Sequence, residues 1–295
     1  MSIQFLDTTF QTPIILASSP LTETIHNIRR CENLGAGGAI LKTSCAFQRK
    51  EAYEPRKYVF APDRSCYYAS SSFEREILTS EEGLSLYENA LSTCKIPIIP
   101  SVTALSLEPY DWLPLCKAYQ NAGATIIQLD FFYLGISLKE PDFEKKLYAL
   151  LTTLGKNLSC HIMPKVNVDL PADYIFHLFS KAGIRGVSLL DSVRVPGPAT
   201  PDGDSLPFSS TSCFGPWQLP LSLHYASIAS QYSLEICGGG GVCEKESVLR
   251  MQSCGASLVQ VASAILMGGY EKLSELLSPL YKTSAMPDTH IREER

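Results

Sequence analysis

Two lysines and two aspartates stand where charge is costly. Lys42 in AILKTS and Lys165 in MPKVNV each close an otherwise apolar run, as do Asp130 in IIQLD and Asp191 in SLLDS. A charge at the end of a buried strand needs compensation. For the lysines two kinds are open: the ammonium reaches the rim or pairs with a carboxylate such as Asp130, or it stabilises negative charge on a bound ligand, for example the edge of a reduced flavin. Asp130 and Asp191 then read either as structural partners of the lysines or, with Ser192, as groups that orient a substrate in the same cavity. Tyr133, three residues after Asp130 in QLDFFYLG, is a proton donor by type. Its other use is as a ring packed in the core or on a ligand.

A second stretch carries different chemistry. Ser233 to Leu266 reads SLEICGGGGVCEKESVLRMQSCGASLVQVASAIL. Its pattern predicts a strand over Leu234–Cys237, a glycine turn at Gly238–Gly241, a helix over Glu244–Cys254 and a strand over Ser257–Val261. Glycines let the backbone approach a ligand with no side chain between. Backbone N–H groups of the turn and of the helix start at Ala262-Ser263-Ala264 would converge on one anion. Taken alone, the glycine run also reads as a plain tight turn. Its pairing with a small-residue strand end one βα unit later points to a phosphate-bearing ligand, because barrel phosphate sites follow the last two strands.

These residues need a frame. Short apolar runs recur at Pro13–Ala17, Ala39–Thr43, Ile96–Val102, Ala124–Asp130, His161–Val166 and Gly186–Leu190, and the two strands above complete eight. Helical patterns at Glu23–Leu34, Pro109–Ala122, Asp142–Leu154, Pro171–Ala182, Pro216–Gln231 and Glu244–Cys254 alternate with them. Alternation of this kind predicts an α/β fold with a parallel sheet, a (β/α)8 TIM barrel, with one domain over residues 1–283 and a polar tail over 284–295. Glycines at Gly35, Gly123, Gly183 and Gly255 read as helix C-caps feeding the next strand. The first ten residues read as a hairpin closing the barrel bottom. Cys45–Glu82 and Asp191–Phe214 read as long loops at the strand C-terminal face, where lids and pockets are built, or as mobile excursions.

Composition narrows the partners. The 295 residues carry a net charge of −5 and no basic stripe, which argues against nucleic acid and for a small-molecule substrate. No window approaches the roughly 18 apolar residues of a membrane span, and the N-terminus has no signal pattern, so a cytoplasmic protein without membrane contact is expected. The ten cysteines form no CxxC pair and read as reduced. The five histidines show no metal-ligand spacing, so no metal is expected.

Five motifs in order then give a likeness over nearly the whole chain: TPIILASSPLTE, ILKTS, PKV, CGGGGV and VASAIL. With them the sequence resembles the FMN-dependent dihydroorotate dehydrogenases. The resemblance implies FMN as cofactor, with Ala17, Ser18 and Ser19 beside the ring, Lys42 and Lys165 touching flavin, and Gly238, Gly240, Gly241, Ala262 and Ser263 at the phosphate. It implies a homodimer as well, since soluble relatives dimerise.

The substrate side departs from that family. Its fourth strand ends in Asn-Leu-Ser-Cys-Pro-Asn or a close variant, with Cys or Ser as base; here Asp130-Phe131-Phe132-Tyr133-Leu134-Gly135 stands instead. Asp130 and Asp191 replace neutral amides by groups that only accept when ionised. The SSPLT start and the NIRRCENLGAGGAILK run are closer to a dihydroorotate dehydrogenase-like branch that lacks the Cys/Ser base. The leading expectation is hydride transfer between flavin N5 and a small cyclic or enone-like substrate, with Tyr133, Lys42 and Lys165 as catalytic groups. Three alternatives stay open: a divergent dihydroorotate dehydrogenase, a non-catalytic FMN- or phosphate-ligand-binding barrel, and a cofactor-free phosphosugar isomerase or lyase.

Overall fold

The computed structural model describes residues 2–46, 58–60, 65–70, 77–132, 142–195 and 211–278. An antiparallel hairpin comes first, β1 (Ile3–Phe5) and β2 (Thr8–Phe10). β3 (Ile14–Leu16) is the first barrel strand, and α1 (Ile25–Asn33) leads to β4 (Ala39–Ile40), whose path continues as β5 (Ser44–Cys45). Then come β6 (Tyr58–Phe60), β7 (Tyr67–Ser70), β8 (Leu78–Thr79) and α2 (Ser80–Thr93). The third barrel path is β9 (Ile98–Ile99) and β10 (Ser101–Thr103), interrupted at Pro100, which has no N–H for the ladder. It is followed by α3 (Pro109–Asn121), β11 (Ile126–Asp130), α4 (Phe143–Asn157), β12 (His161–Lys165), α5 (Ala172–Lys181) and β13 (Gly186–Ser188). The chain closes with β14 (Val193–Arg194), β15 (Thr211–Phe214), α6 (Leu219–Ala229), β16 (Glu235–Gly238), α7 (Lys245–Ser253), β17 (Ala256–Val261), α8 (Ser263–Gly268) and α9 (Glu271–Leu277).

Hydrogen bonds join the parallel strands in the order β8-β5-β10-β11-β12-β13-β16-β17-β3-β4-β9. β4 pairs with β9 and β5 with β10, so the two ends of that order are the same two chain paths. The sheet therefore closes on itself as the expected (β/α)8 barrel. The helix-to-strand glycines behave as their positions predict: Gly35, Gly123, Gly183 and Gly255 have φ of 101°, 105°, 78° and 98°, which other residues resist. Residues 279–295, including the predicted tail, lie outside the described residues. Among the described residues no helix is long and apolar enough to cross a membrane.

Two features differ from the pattern reading. Ser80–Thr93 is a helix that the apolar periodicity does not announce; its start is set by a capping box, in which Thr79 and Glu82 exchange side-chain and backbone hydrogen bonds. The two long excursions are also not independent loops. β7 from the first pairs antiparallel with β15 from the second, in a four-stranded sheet ordered β14-β15-β7-β6.

The barrel floor is apolar. Phe5, Leu6 and Phe10 of the hairpin pack with Ile15, Ile40, Ile99, Ile126, Met163, Cys237 and Leu258 from the strands. Leu6 and Asp7 turn the hairpin at φ of 45° and 59°. Leu6 fills space left by Gly186, where a Cβ would come within 2.9 Å of its Cδ1. Around this plug Asp7 takes hydrogen bonds from Arg185 (2.7 Å) and meets His161 (2.8 Å), while Glu235 accepts from the Leu6 N–H (2.7 Å). The Arg185 and His161 contacts pull the Asp7 carboxyl down to about 2.

Candidate active site

Alternate residues of a strand share a face, so the barrel interior can be followed upward two residues at a time. Ile126 is followed by Gln128 and Asp130, Ile99 by Ser101, Met163 by Lys165, and Leu258 by Gln260. The lining thus passes from apolar floor to amide and hydroxyl to charge. In the middle layer the Gln128 amide donates to Ser101 (2.9 Å) and that of Gln260 to Ser188 (2.8 Å) and the Leu189 carbonyl. The side-chain oxygens of both glutamines are buried and take no hydrogen bond. Such unmatched acceptors are rare in a folded interior and call for a partner.

Above them sits the charged layer. Lys165 and Asp191 form an ion pair at 2.9 Å, with side-chain exposures of only 6% and 16%. Asp130 is 2% exposed. Its Oδ2 accepts from the Thr43 hydroxyl (2.8 Å) and its Oδ1 from the Phe132 N–H (3.1 Å). Burial pushes the Asp130 carboxyl above its ordinary value, with Lys165 pulling the other way and Asp191 adding to the rise. Burial opposes the charge on Lys165, yet Asp191 and Asp130 together outweigh it and hold the ammonium above its usual range. Lys42, 5% exposed, faces the same space.

That space is a cavity of about 950 Å³, counting its mouth open to solvent, at the C-terminal ends of the strands. It brings most of the predicted site residues together: Ala17, Ser18 and Ser19 after β3, the two lysines, Asp130, Asp191 and Ser192, then Gly240, Gly241, Ala262 and Ser263. Tyr133 lies outside the described residues. Gly238, expected with them, is not among the lining residues; a Cβ there would meet Met251 Sδ at 2.6 Å, so its smallness serves the packing of α7 on the barrel. The glycine turn also has a second reason to exist. A Cβ on Gly240 would lie 2.5 Å from Ser222 Oγ, and one on Gly241 would strike the Leu219 backbone at the start of α6. Both have positive φ, 88° and 79°. Protein packing excludes side chains here, and the same backbone faces the cavity. The helix that follows Ala262 is only six residues long, so the wall there is defined by backbone and the Ser263 side chain rather than by a long helix dipole.

The roof is the small antiparallel sheet. Tyr67 and Ala69 of β7 and Ser212 and Phe214 of β15 line the cavity, and the Tyr67 and Phe214 rings meet edge to face at 3.9 Å. Phe132 joins them from the end of β11, held from outside by Arg194, whose guanidinium covers its ring at 4.4 Å and donates to its carbonyl. Thr43, Gln260, Gln218 and these aromatics are site residues that the sequence reading does not single out. Thr43 stands inside the motif ILKTS and Gln260 inside the predicted strand Ser257–Val261, whereas the aromatics carry no signal, because their position depends on how two distant loops pair. No protein-family model matches this chain, and no curated protein does.

Proposed function

We propose that the protein is an FMN-dependent oxidoreductase of the dihydroorotate dehydrogenase-like type, acting on a small cyclic or enone-like substrate other than dihydroorotate. The observation that carries the reading is the meeting of two buried lysines, Lys42 and Lys165, with both phosphate elements on the wall of one cavity. The residues fit a phosphorylated ring. Gln260 presents an unmatched buried acceptor in the cavity wall, and the Gly240–Gly241 backbone is kept bare.

FMN, when bound, supplies hydride exchange at N5. Ala17, Ser18 and Ser19 would lie against the ring, Gly240, Gly241, Ala262 and Ser263 at the phosphate. Lys42 and Lys165 would stabilise negative charge in a site where burial strengthens each interaction. Among the described residues Asp191 pairs with Lys165, and Asp130 stands where the family offers a neutral amide, so the wall presents carboxyl oxygens that suit a donor-bearing substrate better than a carboxylate such as orotate. Tyr133 remains the sequence-based candidate for the coupled proton.

The test is anaerobic titration of the purified, flavin-loaded protein. Reoxidation of the reduced flavin by members of an enone panel is the expected result. Bleaching of the oxidised flavin by dihydroorotate would assign the protein to pyrimidine synthesis instead, and a flavin that responds only to dithionite would make it a non-catalytic barrel.

A further inference from the structure

Hydride transfer to a C=C bond leaves a carbon that needs a proton, and the described cavity wall holds one group arranged to give it. We propose that Asp130 exchanges that proton with the substrate, and that Thr43 and Ser18 connect Asp130 to the open side of the cavity. The proposal rests on the flavin reading above.

Hydrogen-bond direction gives the path. Thr43 has one hydroxyl hydrogen, and it goes to Asp130 Oδ2 at 2.8 Å. Its two other neighbours, Ser101 Oγ at 2.9 Å and Ser18 Oγ at 3.1 Å, must therefore donate to it. Ser101 is free to do so because its oxygen already accepts from the Gln128 amide. Every hydroxyl in the chain thus points toward one carboxylate. Ser18 is half-buried and lines the cavity, so the chain reaches the open side there. Substrate protonation breaks the Asp130 O–H bond and forms a C–H bond on the carbon adjacent to the one that gained hydride. The Thr43 hydrogen then passes to the new carboxylate, the Ser18 hydrogen replaces it, and solvent restores Ser18, so protons balance.

The surroundings set Asp130 between two states. Burial favours the neutral acid; the Thr43 and Phe132 donors and the Lys165 charge favour the anion. Asp191 opposes the anion while itself paired to Lys165, whose other neighbour is Cys237, and Lys42 shares the wall. A group so placed holds its proton at higher pH than an ordinary aspartate.

The test reads Asp130 directly. In protein labelled with carbon-13 at the aspartate carboxyls, with Asp130→Asn assigning the resonance, the Asp130 midpoint should lie above the ordinary 3.8. Thr43→Val, which removes a donor to the anion, should raise it further, and Thr43→Ser should restore it. A midpoint at or below 3.8, or one unmoved in Thr43→Val, overturns the proposal whether or not the protein binds FMN. In turnover, Asp130→Asn should lose about 100-fold or more of enone reduction. The wild-type rate should fall as pH rises through the Asp130 midpoint, with that limb moved to higher pH in Thr43→Val. If Asp130→Asn does not fold, the Asp130 resonance is assigned instead by through-bond correlation to its own backbone amide, and the Thr43→Val shift decides. Loss of the limb in Tyr133→Phe rather than in Asp130→Asn also overturns the proposal, while colourless protein with the expected midpoint overturns the flavin reading beneath it.

Discussion

The two ends of this barrel treat aspartates in opposite ways. At the floor Asp7 is exposed, and Arg185 and His161 draw its carboxyl down to about 2. At the C-terminal end Asp130 is enclosed, and burial lifts its carboxyl despite Lys165. The floor holds its charges outside an apolar plug of Leu6 and its neighbours, whereas the upper end puts charge inside and leaves polar acceptors unmatched. One end is arranged for stability. The other carries buried charge and unmatched acceptors at a cost in stability, the pattern that the proposed flavin site would explain.

Breaking the upper end should cost most. Lys165→Met leaves Asp191 and Asp130 without their buried cation, and a loss of about 3–5 kcal/mol is expected in urea unfolding. The loss should shrink at acid pH, where Asp130 takes a proton; an unchanged midpoint at neutral pH would mean that the cation is not compensating them. At the floor, Leu6→Ala empties the plug against Gly186 and should cost about 2–5 kcal/mol while leaving the upper cavity intact. Gly241→Ala adds a Cβ against the Leu219 backbone at a φ of 79°, and about 1–3 kcal/mol is expected, with a further loss of FMN affinity because the shifted backbone is cavity wall.

The smallest effects are in pH dependence, and their signs differ. Asp7, whose carboxyl is lowered, adds stability that is present above 3.8 and lost as pH falls through about 2. Asp7→Asn should therefore flatten acid unfolding in that window. Asp130, whose carboxyl is raised, contributes most below 3.8 and loses that contribution as pH rises through its folded value. Asp130→Asn should gain on the wild type as pH rises from acid to neutral. Thermal unfolding across pH in both variants checks the pair, and shifts of the same sign would erase the contrast between the two ends.

The frame was legible because strand and helix periodicities are local, and the C-cap glycines announce each return to the sheet. The strand-end lysines and aspartates were legible because charge in an apolar run is conspicuous. Apart from the helix Ser80–Thr93, whose capping box is local, what escaped was non-local. Tyr67 and Phe214 meet only because β7 and β15 pair across more than a hundred residues of sequence, and nothing in either loop names the other. Gly238 looked like its neighbours in a run of four, but only the packing of Met251 separates its role from theirs. Thr43 stood beside Lys42 in the same motif, and its value lies in a hydrogen bond to a residue on another strand.

The central claim is that the upper end of the barrel, and not its floor, is a flavin site. The most direct test is titration of cofactor-stripped protein with FMN, followed by quenching of flavin fluorescence, in wild type, Lys165→Met and Leu6→Ala. Saturable binding of one FMN per chain, weakened in Lys165→Met and unaltered in folded Leu6→Ala, is the predicted result; wild-type protein that leaves the fluorescence unchanged would contradict it.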